Sequence, residues 1–312
     1  PAGGSTHGHT VSAAALGNAT NGLPGTYGNS YRAENPNVAG QFWNLDGVAP
    51  GAKLFAYDGQ VTPGAGSCQD PLLDQIVPGD LYAAPSGGSL GVSYVTHGAR
   101  VFNFSWGQSS NIYNTNSEDV DNFLNDHPDA LGFISAGNAS QDADNNGIPD
   151  AGTLGAPATA KNALAIGASR ATNLSGSSTE GRAAFSSVGP APGNRVAPQL
   201  MAPGDENANP LGIASEFHCR SNDNNQTDPA MCDLATGLEG TSFSSPAAAG
   251  AALLVRDYFA QGFYPDGTKL NASNAGDLQA NVSGPLVKSI LMASADFMTC
   301  GNLTKPFRFN NQ

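Results

Sequence analysis

The chain has 312 residues, enough to bury one large core, so a single domain is the simplest expectation. Only 12% of the residues are charged, whereas Gly (39) and Pro (21) are frequent, which predicts many tight loops. With 26 acidic and 13 basic residues the formal net charge is −13, and no Lys/Arg cluster offsets it, which excludes nucleic acid as a partner. The longest apolar run is far shorter than a bilayer requires, so no membrane span is predicted.

Short apolar runs alternate along the chain with stretches that favour helix. This alternation is typical of parallel βαβ units in an α/β fold. The predicted buried strands are residues 53–57, 99–104, 131–135 and 163–167. The predicted helices are residues 8–16, 90–97, 117–125, 244–260 and 285–294. Long Gly/Asn/Pro-rich connections fill residues 18–48, 58–88, 141–153 and 206–236, and their length favours a functional role.

The cysteines are Cys68, Cys219, Cys232 and Cys300. They form no C-x-x-C pair and have no His at metal-ligand spacing, which argues against zinc. An even number of cysteines in an acidic, loop-rich chain favours disulfides. Because the loop between Cys219 and Cys232 is short, these two are the first expected pair, which leaves the other two for each other. Four reduced thiols are the alternative.

Three segments carry groups that amide hydrolysis requires, namely a hydroxyl, a base and donors for an oxyanion. Ser242 lies in Gly240-Thr-Ser-Phe-Ser-Ser-Pro246, before an Ala/Gly-rich helix whose N-terminus favours negative charge. His7 lies in Ser5-Thr-His-Gly-His-Thr-Val11, at the start of a helix of small residues. Taken alone, Ser242 is better explained as an N-cap serine, and His7 and His9 can each be explained as a polar loop residue.

Asn138 ends the third segment, Phe133-Ile-Ser-Ala-Gly-Asn138, which leaves a predicted buried strand. Its amide is therefore expected at the carboxyl end of that strand, the edge where open α/β sheets bind ligands. Gly-Asn is also a common turn pair, which is the simpler interpretation of this segment.

In this order and in these contexts, the three segments resemble the subtilisin-like serine proteases, the subtilases. His7-Gly8 with Val11 is similar to the family's His-Gly-Thr-His-Val block, Ser135-Ala-Gly-Asn138 to its Ala-Ala-Gly-Asn block, and Gly240-Thr-Ser-Phe-Ser-Ser-Pro246 to its Gly-Thr-Ser-Met-Ala-x-Pro block. Segments that begin at Gly47, Asn103, Ala184 and Met201 also have family counterparts. The resemblance implies a three-layer α/β sandwich with a mainly parallel central sheet flanked by helices. Residues 155–162 further resemble the alkaline, oxidation-tolerant bacterial branch.

The resemblance also implies a role for each site residue. Ser242 is the expected nucleophile, His7 the general base and then acid, and Asn138 the side-chain half of the oxyanion hole, joined by the Ser242 backbone N–H. Substrate is expected as an added strand between two segments, with its P1 side chain in a pocket near Gly155. These segments are Ser105-Trp106-Gly107 and Ser135-Ala136-Gly137.

The chain departs from the family pattern in three ways. His9 and Thr10 stand where the family has Thr and then His, so His9 is easily mistaken for the base. Phe243 replaces the usual Met, whose sulfur is oxidised in many members, so we expect tolerance of peroxide. The family's triad aspartate lies on a strand before the His, and this chain begins only six residues before His7.

The missing aspartate has three explanations. Asp46, Asp58, Asp74 and Asp80 all follow His7 in segments that correspond to other parts of the fold, so they are interpreted as loop carboxylates. We expect a single catalytic domain that lacks its N-terminal strand and is also cut at its C-terminus, with a separate N-terminal piece that supplies the aspartate. The alternatives are an aspartate from another chain and a catalytically inactive relative.

One acidic loop has the spacing of a calcium site. Residues 142–150 place oxygen-bearing side chains at positions 1, 3, 5 and 9 and a Gly at position 6. The predicted ligands are Asp142, Asp144, Asn146, Ile148 and Asp150. Thr153 stands at position 12 instead of Glu, so this is not a complete EF-hand, and a solvated acidic loop is the alternative.

The sequence thus predicts a secreted serine endopeptidase with structural Ca²⁺ that cuts proteins or peptides through an acyl-enzyme at Ser242. The rival hypothesis is an inactive member of the same fold that holds extended peptides without cutting them.

Overall fold

The computed structural model describes residues 7–16, 47–56, 81–145, 149–170, 181–205, 213–219, 232–269, 275–279, 281–296 and 298. Within these ranges four parallel strands form one sheet, and their order across the sheet follows their order along the chain. The strands are β1 (Val101–Phe104), β2 (Leu131–Ser135), β3 (Leu164–Arg170) and β4 (Leu200–Asp205). A separate antiparallel pair consists of β5 (Ile213–Cys219) and β6 (Cys232–Leu238).

Five α-helices are described, and two of them begin at a residue whose side chain accepts a hydrogen bond from a free backbone donor. The five are α1 (His7–Leu16), α2 (Gly88–His97), α3 (Thr115–Asp126), α4 (Thr241–Ala260) and α5 (Gly284–Ser294). The side chain of Asn114 accepts a hydrogen bond from the amide of Ser117 at the start of α3, and Ser283 does the same for Leu286 in α5. These caps fix where the helices enter the layers on either side of the sheet.

Two apolar clusters cover the two faces of the parallel sheet. Successive strand residues point to opposite faces, so β2 contributes Phe133 to one cluster and Ile134 to the other. The cluster with Ile134 includes Leu90 of α2 and Phe123 of α3, and the cluster with Phe133 includes Ala252 of α4 and Val287 of α5. Helices therefore flank the sheet on both faces, which confirms the predicted three-layer α/β sandwich.

The structure differs from the sequence prediction in three places, and the first is β4, which was not predicted as a strand. Residues 53–56, predicted as a buried strand, are exposed and pair with no strand in the described part of the chain. An apolar run becomes a buried strand only when neighbouring strands satisfy its backbone, and periodicity does not reveal those neighbours. β5 and β6 lie largely within residues 206–236, predicted as a connection, because Glu, His, Ser, Asp and Thr interrupt their apolar pattern.

Candidate active site

A cavity of about 350 Å³ lies at the carboxyl ends of β1 and β2. Its lining comes from His7 at the start of α1, residues 105–109 after β1, residues 135–139 from the end of β2 onward, and the start of α4, with Thr153 and Gly155. The sequence predicted this edge from the position of Asn138 alone. No Asp or Glu lies among the described lining residues.

Ser242, the second residue of α4, is joined to the end of β1 by two hydrogen bonds. Its Oγ donates to the backbone oxygen of Ser105 at 3.3 Å, and the Oγ of Ser105 donates to the backbone oxygen of Ser242 at 2.7 Å. The Ser242 N–H lies in the first helical turn, where backbone donors have no intrahelical acceptor. The residue therefore presents both a hydroxyl and a backbone donor at the cavity.

The side-chain amide of Asn138 is held in one orientation by Thr241. Asn138 Oδ1 accepts hydrogen bonds from the backbone N and the Oγ1 of Thr241, both at 2.9 Å. The Oγ1 of Thr241 in turn accepts a bond from the N–H of Gly137 at 3.1 Å. Because the amide oxygen is occupied in this way, Nδ2 is the end of the side chain that can donate to a ligand.

Asn138 Nδ2 and the Ser242 N–H border the same space beside Gly240. A Cβ built at Gly240 would lie 3.4 Å from Asn138 Nδ2 and 3.7 Å from the Ser242 nitrogen. The φ of Gly240 is 144°, a conformation that residues with side chains rarely adopt. Glycine thus keeps the space open, and two donors that face one space are the arrangement an oxyanion hole requires.

His7 is the first residue of α1 and lines the same cavity as Ser242. Its ring meets the ring of Phe243 edge to face, with 6.1 Å between the centroids. Phe243 is buried, and α1 packs against α4, so the histidine is held near the start of the helix that carries Ser242. The three predicted catalytic residues are therefore brought to one cavity.

The predicted substrate residues all lie around this cavity. Ser105, Trp106 and Gly107 lie on one side, Ser135, Ala136 and Gly137 on another, and Gly155 beside them. Gly155 approaches residue 108 so closely that a Cβ there would lie 1.6 Å from the Gln108 oxygen. The Gln108 N–H also donates to the Ala156 oxygen at 2.8 Å, so backbone contacts close this end of the cavity.

Sequence reasoning missed Thr241 as the residue that orients Asn138. Thr241 was part of the recognised motif, but it lies 103 positions from its partner, and one sequence carries no signal of that contact. Thr153 and Gln108 also line the cavity without having been predicted there. Contacts between distant segments of this kind appear only once the strands are placed.

The described part of the predicted calcium loop is closed on itself. The Asp150 carboxylate accepts a hydrogen bond from the Ala143 N–H at 3.1 Å, and the Asp150 N–H donates to the Gln141 oxygen at 2.7 Å. Two predicted ligands, Asn146 and Ile148, lie outside the described residues. In the described ranges no three or more His, Cys, Asp or Glu side chains are grouped to hold a metal ion. Calcium therefore stays a prediction.

The fold and the cavity define a class of protein. The chain belongs to the subtilase family, a family of serine-type endopeptidases: the family model described as Peptidase S8, the subtilase family, matches residues 2–308. The alkaline branch suggested by residues 155–162 stays a prediction.

Individual relatives agree with the family. Two from Dictyostelium discoideum are named serine protease/ABC transporter B family proteins tagA and tagD. The first is 33% identical over 131 residues, covering 41% of this chain and 7% of the relative. The second is 22% identical over 331 aligned positions, covering 82% of this chain and 16% of the relative. The chain thus spans only a small part of the length of these relatives.

A solved structure is similar across almost the whole chain. It is described as the S41 psychrophilic protease, with a TM-score of 0.53 and 23% identity. The similarity covers 95% of this chain and 72% of that one. At this identity it supports the fold and leaves the roles of individual residues to the geometry of the cavity.

Proposed function

We propose that the protein is a serine endopeptidase that hydrolyses peptide bonds through an acyl-enzyme at Ser242. His7 acts as general base and then as general acid, and Asn138 Nδ2 with the Ser242 N–H forms the oxyanion hole. The observation that carries the proposal is the start of α4: Thr241 fixes the Asn138 amide, and the next residue presents the hydroxyl.

The proposed reaction has two matching halves. Ser242 Oγ attacks the scissile carbonyl carbon while His7 accepts its proton, and the developing negative charge on the carbonyl oxygen is stabilised by the two donors beside Gly240. His7 then gives the proton to the leaving amine, which breaks the C–N bond. Water, activated by the same histidine, releases the acyl group and restores the Ser242 hydroxyl.

The proposed substrate is an extended peptide bound between the two segments that follow β1 and β2. Residues 105–107 and 135–137 border the cavity from two sides, and adding a strand between two such segments is a general mode of peptide recognition. The P1 side chain would enter the cavity beside Gly155. Recognition through the backbone suits an enzyme that cuts within unfolded proteins.

We also propose that a separate N-terminal segment supplies the triad aspartate by adding a strand beside β1. Among the described strands, β1 lies at the edge of the parallel sheet, and we expect its outer backbone edge to pair with the added strand. Residue 105, directly after β1, borders the cavity, and a parallel neighbour would end at the same edge. A second, smaller peptide in the denatured protein, seen by mass spectrometry, would support this proposal, whereas a single species would contradict it.

Calcium at residues 142–150 and export from the cell are further proposals. The contact between Asp150 and Ala143 brings the two ends of the loop together, as an oxygen-ligand site requires. Removing Ca²⁺ with a chelator should lower the melting temperature, and an unchanged value would contradict the calcium site. The described residues contain no helix long and apolar enough to cross a membrane.

A Cys219–Cys232 disulfide is proposed from the backbone of β5 and β6. The two residues are direct partners in the antiparallel register, and such partners have Cα separations that a disulfide spans. Cys68 and Cys300 lie outside the described residues. Peptide mapping without reduction should recover residues 219 and 232 in one linked peptide, and free alkylated thiols would contradict the pair.

Cleavage of an unfolded protein substrate tests the proposed function. Ser242→Ala should abolish cleavage while leaving the melting temperature unchanged. Ser244→Ala is the matched control, because Ser244 lies in the same helical turn. Its hydroxyl is fully buried and has no hydrogen-bond partner in the described residues. If the wild-type protein binds the peptide but cleaves nothing, the inactive rival is supported instead.

A further inference from the structure

A chain of three side-chain hydrogen bonds leads from inside α4 back to Ser242. The Oγ of Ser245 donates to Asn103 Oδ1 at 2.7 Å. Asn103 Nδ2 donates to the Oγ of Ser105 at 3.0 Å, and that hydroxyl donates to the backbone oxygen of Ser242 at 2.7 Å. This series of hydrogen bonds therefore begins and ends on α4 and passes through β1 and the residue after it.

The direction of donation is fixed for every hydrogen bond in this network. A serine hydroxyl has one proton, and Ser105 uses its proton on the Ser242 oxygen, so it can only accept from Asn103. Asn103 must then direct Nδ2 toward Ser105 and Oδ1 toward Ser245, which fixes the orientation of its amide. None of these side chains can exchange its donor and acceptor roles without breaking a hydrogen bond to its neighbour.

The first two residues of the hydrogen-bond network lie outside the cavity lining, which begins at Ser105. Ser245 is fully buried and Asn103 half-buried, and neither lines the cavity. A buried hydroxyl is costly unless it is bonded, yet the adjacent Ser244, equally buried, has no partner in the described residues. The site thus contains one buried serine that is built into a network and a neighbour that is not.

We infer that Asn103, held by Ser245, is a positioning residue that fixes Ser242 through Ser105. This inference rests on the proposed function of Ser242. The bond from Ser105 holds the Ser242 carbonyl, and the Ser242 hydroxyl in turn contacts the Ser105 oxygen, so the network sets where the hydroxyl and the adjacent N–H point. Misplacing a reacting group by about 1 Å can cost about a hundredfold in rate.

The first test compares Ser245→Ala with Ser244→Ala in the complete protein, using a chromogenic peptide substrate. We expect Ser245→Ala to lower kcat about tenfold while KM stays within about twofold, because the binding segments are untouched. Ser244→Ala should leave both constants near those of the wild type. If the two variants have the same kcat at equal melting temperature, the positioning role is overturned.

A second variant keeps the shape of the network and reverses one bond. In Asn103→Asp the carboxylate still accepts from Ser245, but it offers no donor to Ser105 and attracts that hydroxyl's proton away from the Ser242 oxygen. We expect kcat to fall by at least about tenfold at unchanged melting temperature. This variant decides the matter if Ser245→Ala fails to fold, and an unchanged kcat overturns the inference.

Coupling between the residues distinguishes a network from separate structural contacts. If Ser245 acts only through Asn103, adding Ser245→Ala to Asn103→Ala should lower kcat no further, whereas independent effects would multiply. A wild-type protein without activity would overturn the proposed function together with this inference. An active wild type with multiplicative losses would overturn only the network.

Discussion

Two polar clusters at opposite ends of the parallel sheet, one around Asp129 and one around Ser242, differ in charge. At the amino end, just before β1 and β2, Arg100 Nε and Asp129 Oδ2 form an ion pair at 2.7 Å. The Tyr94 hydroxyl also donates to Asp129 at 2.7 Å, and Arg256 donates to its backbone oxygen at 2.9 Å. At the carboxyl end, the bonds around Ser242 join neutral groups only.

This difference in charge separates the residues that stabilise the folded protein from the residues proposed to act in the reaction. Burial opposes the ionisation of Asp129, but the Tyr94 hydroxyl and the Arg100 charge outweigh it and hold the pKa of the carboxyl below its usual range. That charge exists in the resting protein and is stabilised there. In the proposed mechanism, the neutral donors at the other end stabilise a charge that appears only when the substrate carbonyl is attacked.

Changing Asn138 should give the largest effect, because it removes a donor at the catalytic end. Asn138→Ala should lower kcat by about two to three powers of ten with little change in KM. Asn138→Asp keeps an acceptor for both Thr241 bonds but replaces the Nδ2 donor with a negatively charged oxygen, so it should lose at least as much. Steady-state kinetics on a peptide substrate measures both, and an Asp variant close to wild type would show that Nδ2 is not the active group.

Phe243→Met should make the catalytic end sensitive to oxidation. Phe243 follows Ser242 in the chain, is buried and contacts the His7 ring, so a sulfoxide there would add a polar oxygen beside the proposed base. Activity remaining after peroxide treatment should fall about tenfold in the variant and stay constant in the wild type. Met292 on α5, 45% exposed, is an internal control, since its oxidation should leave activity intact. Rapid inactivation of the wild type would contradict the prediction.

Asp129→Ala tests the opposite end of the sheet. It removes the acceptor of Tyr94 and Arg100, so we expect the free energy of unfolding to fall by about 1–3 kcal/mol. The catalytic end is untouched, so kcat/KM should stay within about twofold of wild type. Urea unfolding and steady-state kinetics measure the two quantities. A loss of activity larger than the loss of folded protein would show that the two ends are coupled.

The smallest expected effect is the pH dependence of that stabilisation. Because the pKa of Asp129 is lowered in the folded protein, its contribution is fully present above the pKa of the unfolded chain and is lost as pH falls through the folded pKa. The difference in unfolding free energy between wild type and Asp129→Asn should therefore shrink between neutral pH and about pH 2. A difference that grows on acidification would contradict the assignment.

The residues that the sequence predicted for the site meet at one cavity, whereas parts of the supporting layers were not predicted. Ser242, His7 and Asn138 stand in short motifs whose backbone context, a strand end or a helix start, is local and readable. β1, β2 and β3 were predicted within two or three residues because each is a short apolar run bounded by Gly, Pro, Asn or Asp.

The failures share one physical cause. Residues 53–56 are apolar enough for a strand, but no described neighbour satisfies their backbone, and β5 and β6 pair in spite of polar sequences. Thr241 and Asn103 act through partners more than 100 positions away. Such pairings depend on the whole fold, which one sequence read by periodicity does not reveal.

The central claim is that one hydroxyl at the carboxyl end of the sheet is the nucleophile, activated by its neighbours there. Reaction with a peptidyl phosphonate, followed by mass spectrometry of the digested protein, tests it most directly. We predict one adduct per molecule, on Ser242, formed far more slowly in His7→Ala and absent in Ser242→Ala. No adduct on the intact wild-type protein, or an adduct on another serine, would contradict the account.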